Sequence, residues 1–473
     1  MQDLRNNQPS KWKLERVIWR AGELKISEAA PVLLKLIGTG TPMRDYCIAW
    51  ALGYCGDQDA ISALIKLYQS ASSPEFVSRI AFEALLKLAD AQTKAALQAQ
   101  MIDFLPLELQ NLAQAGSAEA FATELRAYLQ RSDYKGFAVL DRIYQIDNQY
   151  VRPALIEILR NAPFKPNYFQ RLRHIFKMAE YRHDSEVFGI FAYRLEKERH
   201  MFRRQWWQMY KWDSTTRSYV KRQDYLNSPD SNRAYSDKTR EYLRRRVWRT
   251  LKQLGEEGDL EYVNIAVDIL LQYSDQDAQR VWQSASHRWE YLNASWTKIE
   301  YNHKWWDAYA GYSTFNHILY ENSPRYELKP NSKAWRCREN YKPGDAEPTT
   351  REEAFPQLWE QHPQALLQLL FQSKCRPVHH FAVKALRVCD RFVSSIKIDT
   401  IIGLVNKPYE VTAQFGFQLA QLNYNPASPN KDLILALVNC LSEQARTQAY
   451  QWVEQQREFF LEDSNFITAL VIS

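Results

Sequence analysis

Short amphipathic helices, repeated with brief polar turns between them, constrain this chain more than any other feature. Leu14, Val17 and Ile18 fall on one helical face. A second helical run covers roughly 26–37, with Ser27 placed to cap it and Gly38 and Gly40 to stop it. Further runs start at Arg44, Asp59 and Ser73, and the segment from Arg44 recurs loosely from Arg79, 35 residues later. The pattern returns over 149–160 and 166–195. It appears again from His362, Asp399 and Asp432, where setting Pro377 against Pro408 gives a period of 31 residues. A helix of about 10 to 14 residues is marginal alone in water and must bury its apolar stripe on neighbours. Stacked helix pairs with a period of roughly 30 to 45 residues solve that problem for a whole chain.

The expectation is an all-α fold, an α-solenoid of antiparallel helix pairs. N-terminal repeats would span 1–200 and C-terminal repeats 352–473. Two stretches break the pattern: a basic aromatic linker or insertion over 201–241, and an irregular Trp/Tyr-rich insertion over 280–351. A central helical pair at 242–279 separates them. Only 14 glycines among 473 residues argue against a glycine-rich phosphate-binding fold. No apolar run is long enough for a spanning helix, and the start lacks the apolar middle of a signal peptide, so no membrane partner is expected. Six scattered cysteines without CxxC spacing read as reduced thiols, which places the chain in the cytoplasm.

The repeats resemble HEAT-type repeats, and the copies carrying the likeness are 27–56, 59–90, 149–195, 362–390 and 399–422. That resemblance implies a scaffold that binds protein or nucleic acid along a concave face. The centre carries a second likeness. Arg244, Arg245, Arg246, Trp248, Arg249, Leu251, Leu254 and Gly255 resemble a segment of bacterial WGR-domain or MolR-like proteins, which join helical repeats to a small WGR domain. The stretch Arg376 to Arg387 is similar to their repeat style. A Trp-Gly-Arg triplet is absent, and the last residues form an apolar, uncapped stretch. The chain is therefore expected to lack that domain or to stop before it.

Charge gathers in one place. Between Arg199 and Lys252 stand 15 Lys/Arg against 5 Asp/Glu, a net of +10 in a chain whose total is +6, together with ten aromatic residues. Two clusters follow as candidate nucleic-acid or polyanion contacts. One is Arg203, Arg204, Trp206, Trp207, Lys211 and Trp212, joined by Lys221 and Arg222. The other is Arg244, Arg245, Arg249 and Lys252. On a helix 245, 249 and 252 share one face, while Val247, Leu251 and Leu254 form a stripe that wants burial. Arginine forks neutralise phosphates, and tryptophan stacks on bases. The competing reading is internal: the arginines pair with acids and fasten the insertion to the repeats, and the tryptophans pack in a core. No metal motif completes Cys375, His379, His380 and Cys389, and no catalytic motif is present, so no cofactor is expected. Three functions remain: an interaction scaffold for a protein partner, a nucleic-acid-binding repeat protein, and, by resemblance alone, a HEAT-like DNA glycosylase with Asp307 as its carboxylate.

Overall fold

A computed structural model describes residues 14–132, 136–164, 166–198, 210–221, 236–292 and 295–472. They are mostly helical. Contacts divide the chain into two compact units, Met1–Asp184 with Gln223–Ala234, and Ser185–Arg222 with Tyr235–Ser473.

In the first unit the principal helices are α1 (Leu14–Glu23), α2 (Pro42–Cys55), α3 (Asp59–Gln69), α4 (Glu75–Leu88), α5 (Val139–Ile146) and α6 (Pro166–Arg182). Helix α1 packs on α2, α2 on α4, and α3 on α4, so each short helix covers the apolar face of another. Small residues set the spacing: a Cβ at Gly22 would lie 2.7 Å from the Ala51 Cα. Beside that contact Trp19 stacks on Trp50 with ring centroids 3.7 Å apart. A polar seam joins α4, α5 and α6. Glu83, fully buried, receives both Nε and Nη2 of Arg182. Asp141 lies 2.9 Å from Arg171 and 3.4 Å from Arg79, and Arg79 also meets His174 at 3.0 Å.

The second unit opens with α7 (Ser185–Lys197). It contains the hairpin of β1 (Tyr210–Asp213) and β2 (Ser218–Lys221), the long helix α8 (Asp237–Glu257) and α9 (Glu261–Leu270). Helix α8 starts where Ser236 accepts a hydrogen bond from the Thr239 N–H and stops at Gly258, whose φ of +72° suits a residue without a Cβ. Its buried stripe is Arg240, Leu243, Arg244, Val247, Leu251, Leu254 and Gly255.

Where the sequence pattern predicts an irregular insertion, the chain forms an antiparallel hairpin of β3 (Trp282–Leu292) and β4 (Ser295–Trp306), then α10 (Ser313–Tyr320). After α10 the loop closes on a small core of Tyr326, Trp335, Cys337 and Tyr341. Buried Arg325 is clamped there by Glu352 at 2.8 and 2.7 Å. The last part holds α11 (Pro363–Gln372), α12 (Arg376–Leu386), α13 (Ile398–Val405), α14 (Glu410–Asn423), α15 (Lys431–Val438) and α16 (Glu443–Gln455). Sequential neighbours α11 and α12, α13 and α14, and α15 and α16 pack together. So do α11 with α13, α13 with α15, and α12 with α14.

Candidate interaction surface

The basic window separates into parts of different character. Arg203, Arg204, Trp206, Trp207 and Arg222 lie outside the described residues. Lys211 pairs with Val220 across the β1–β2 ladder, and Lys221 with Tyr210. Trp212 stands opposite Tyr219, edge to face at 5.1 Å, and both are exposed. One face of this small hairpin therefore carries Tyr210, Trp212, Tyr219 and Lys221 together, because residues paired across the ladder share a face.

Helix α8 corrects part of the expectation. Arg244 is buried, so it is not a surface contact. Its guanidinium meets Glu241 at 3.1 Å and Glu196 at 3.6 Å, and it donates to the Gly311 carbonyl at 3.4 Å. Burial opposes its charge, but Glu196 and Glu241 outweigh that and hold its pKa above the ordinary arginine value. Glu196 is itself fully buried and also accepts from the Tyr273 hydroxyl and the Thr314 N–H. Arg240 adds a second fastening by donating to the carbonyls of Leu195 and Glu196. Thus α7, α8 and the segment before α10 are joined through buried charge. Arg245, Arg249 and Lys252 are exposed on the opposite face, where Lys252 has Glu256 at 3.6 Å and Arg249 has no ion-pair partner among the described residues.

The β3–β4 ribbon is the surface that sequence reasoning missed. It runs from the stacked pair Trp282 and Trp306, centroids 3.6 Å apart, to the pair Leu292 and Ser295. Two residues, Asn302 and His303, stand against Ala285, a bulge that Asn302 accommodates with a φ of +53°. Beyond the bulge His287 pairs with Glu300, Trp289 with Lys298, and Tyr291 with Trp296. All six are exposed, Trp289 at 59%, Tyr291 at 61% and Trp296 at 66%. The other face carries Arg288, Glu290, Tyr301 and Leu292, of which Tyr301 is 43% exposed. Strand alternation is legible when one face is apolar and buried; here both faces mix aromatic and charged residues, so the period is masked.

The remaining candidates are internal. His379 is fully buried, with Nδ1 at 2.8 Å from the Thr412 hydroxyl, Nε2 at 3.1 Å from the Ser373 carbonyl and its ring stacked on Tyr409. Desolvation pushes its pKa down to about 4. His380 lies 3.2 Å from Glu347, whose carboxyl that contact holds at about 2. Burial pushes the Cys375 thiol up to about 12. Asp307 accepts from the Tyr326 hydroxyl and the Ala308 N–H. Among the described residues no three His, Cys, Asp or Glu side chains converge as metal ligands, and no helix is long and apolar enough to cross a membrane. Comparison of the chain with family models, with curated proteins and with solved structures returned no match.

Proposed function

We propose that the chain is a non-enzymatic interaction scaffold built on HEAT-like helix pairs, binding a protein partner. The reading rests on one observation: the β3–β4 ribbon exposes Trp289, Tyr291 and Trp296 together on one face. Tryptophan and tyrosine are the usual anchors of protein interfaces, and an isolated two-stranded ribbon gains little from burial on its own. The repeat architecture is supported by the packing of α11 on α13, α13 on α15 and α12 on α14. Likeness to WGR-domain or MolR-like proteins belongs to the same proposal and rests on α8 and α12. A protein suits the ribbon better than a polyanion because two of its three Lys/Arg side chains already have carboxylates: Arg288 lies beside Glu290, and Lys298 is 2.8 Å from Glu300. A photo-crosslinking amino acid at Tyr291 of the full chain tests this. A specific protein adduct formed there, and absent when the same group replaces exposed Leu422 far along the chain, supports the reading; no adduct, or equal adducts at both positions, overturns it.

One observation favours a second reading, nucleic-acid binding. Arg245, Arg249 and Lys252 share the exposed face of α8, and the aromatic face of β1–β2 carries Lys221.

A further inference from the structure

The three outer rows of one ribbon face are each made of two different, mutually attractive groups. Trp289 faces Lys298 across the ladder, Tyr291 faces Trp296, and His287 faces Glu300. An indole attracts an ammonium over its ring, aromatic rings attract each other edge to face, and an imidazole hydrogen-bonds a carboxylate. A two-fold axis running along the ribbon swaps the two strands of a second ribbon laid on this face. Trp289 then meets Lys298 of the second copy, Tyr291 meets Trp296, and His287 meets Glu300, each contact occurring twice. The opposite face lacks this property: the same operation sets Arg288 against Ile299 and Glu290 against Thr297. All six side chains are exposed, so nothing within the described residues covers them.

We propose that the chain self-associates through this face, two ribbons packing about a two-fold axis along their length. The inference rests on the scaffold reading and names a second copy of this chain as the occupant of the ribbon. Symmetric pairing of identical surfaces is the commonest closed assembly, and it requires this kind of self-complementarity. Complementary charge also decides against nucleic acid on this face, since Lys298 and Glu300 balance within each ribbon. Three aromatic side chains per copy, each able to bury about 150 Å², give about 900 Å² for the pair. That falls below the roughly 1,200 Å² of a standard stable interface, in the range of weak and transient association, so the dimer is reversible rather than permanent.

Sedimentation velocity of the full chain from about 1 to about 100 µM reads this directly. The wild type is expected to move from monomer toward dimer across that range. Trp289→Glu with Trp296→Glu should remain monomeric at the highest concentration. Lys298→Glu, which alters a single exposed side chain and removes the cation set against Trp289 of the second copy, should weaken association at least tenfold. Far-UV circular dichroism of each variant should match the wild type. A wild type that stays monomeric throughout, or a dimer that persists unweakened in Lys298→Glu, overturns the proposal. The first of these results leaves the scaffold reading standing, because the adduct at Tyr291 would then contain a different protein. Failure of that reading shows instead as no adduct, or as equal adducts at Tyr291 and Leu422.

Discussion

Arg244 and Arg249 stand five residues apart on one helix and do different things. Arg244 is the counter-ion of Glu196, a carboxylate with no exposure to water. Removing one partner of a buried pair leaves an uncompensated charge and costs about 3 to 5 kcal/mol. Arg244→Met should lose stability of that order in urea unfolding, whereas exposed Arg249→Ala should stay within about 0.5 kcal/mol of the wild type. The competing readings of the arginine cluster are thus separable at single residues. The pattern of apolar positions in α8 was legible; the identity of the acid meeting Arg244 was not, because Glu196 lies 48 positions upstream and only folding brings it near.

His379 gives a second residue-scale test. Its pKa falls from 6.5 to about 4 in the folded chain because burial disfavours the imidazolium. The unfolded chain therefore takes up a proton between pH 6.5 and 4 that the folded chain refuses, and stability is lost as pH falls through that window. A tenfold difference in proton affinity is worth about 1.36 kcal/mol, which sets the loss at roughly 3 kcal/mol. The difference between wild type and His379→Gln, followed by urea unfolding at pH 7 and pH 4.5, should narrow by most of that amount at the lower pH. In the fold His379 has the Thr412 hydroxyl and the Ser373 carbonyl as its partners.

At the scale of elements, close helix approach and exposed faces govern behaviour. Helices α7 and α9 meet at Gly189, where a Cβ would lie 2.9 Å from the Asp268 carbonyl carbon. Alanine improves helix propensity by about 1 kcal/mol, yet overpacking against backbone costs about 1 to 3 kcal/mol. Gly189→Ala should therefore lower the thermal midpoint or leave it unchanged, and never raise it. The exposed face of α8 tests the nucleic-acid reading. If that reading holds, labelled single-stranded DNA or RNA binds at low salt, and Arg245→Glu with Arg249→Glu abolishes binding with the helical signal intact. Removal of a single phosphate-binding cation should also reduce the single-strand salt slope by about 0.7. Absence of binding to single- and double-stranded probes at low salt removes it. The helices were legible as elements because their apolar stripes are buried, as in Val247, Leu251 and Leu254. The ribbon was not, because Lys298 and Glu300 among the aromatics of one face, and Arg288 and Glu290 on the other, give neither face an apolar identity.

At the scale of the molecule, buried charge and exposed aromatics are kept apart. Glu196 with Arg244, and Arg325 with Glu352, tie segments of the second unit together, while Glu83 with Arg182 does the same within the first. The two hairpins and the outer face of α8 carry the exposed aromatic and basic side chains on which the proposed readings rest. Periodicity carried the helices as elements, since helix and turn are local properties of the chain. It carried nothing of how much basic charge would turn inward, since that depends on contacts distant in sequence. In the proposed function the β3–β4 ribbon is the contact element. The most direct measurement compares proteins retained by the immobilised full chain with those retained by Trp289→Ser combined with Trp296→Ser, at equal folded content. At least one protein held by the wild type, this chain itself included, should show retention reduced at least tenfold in the variant. Identical retained sets would contradict it.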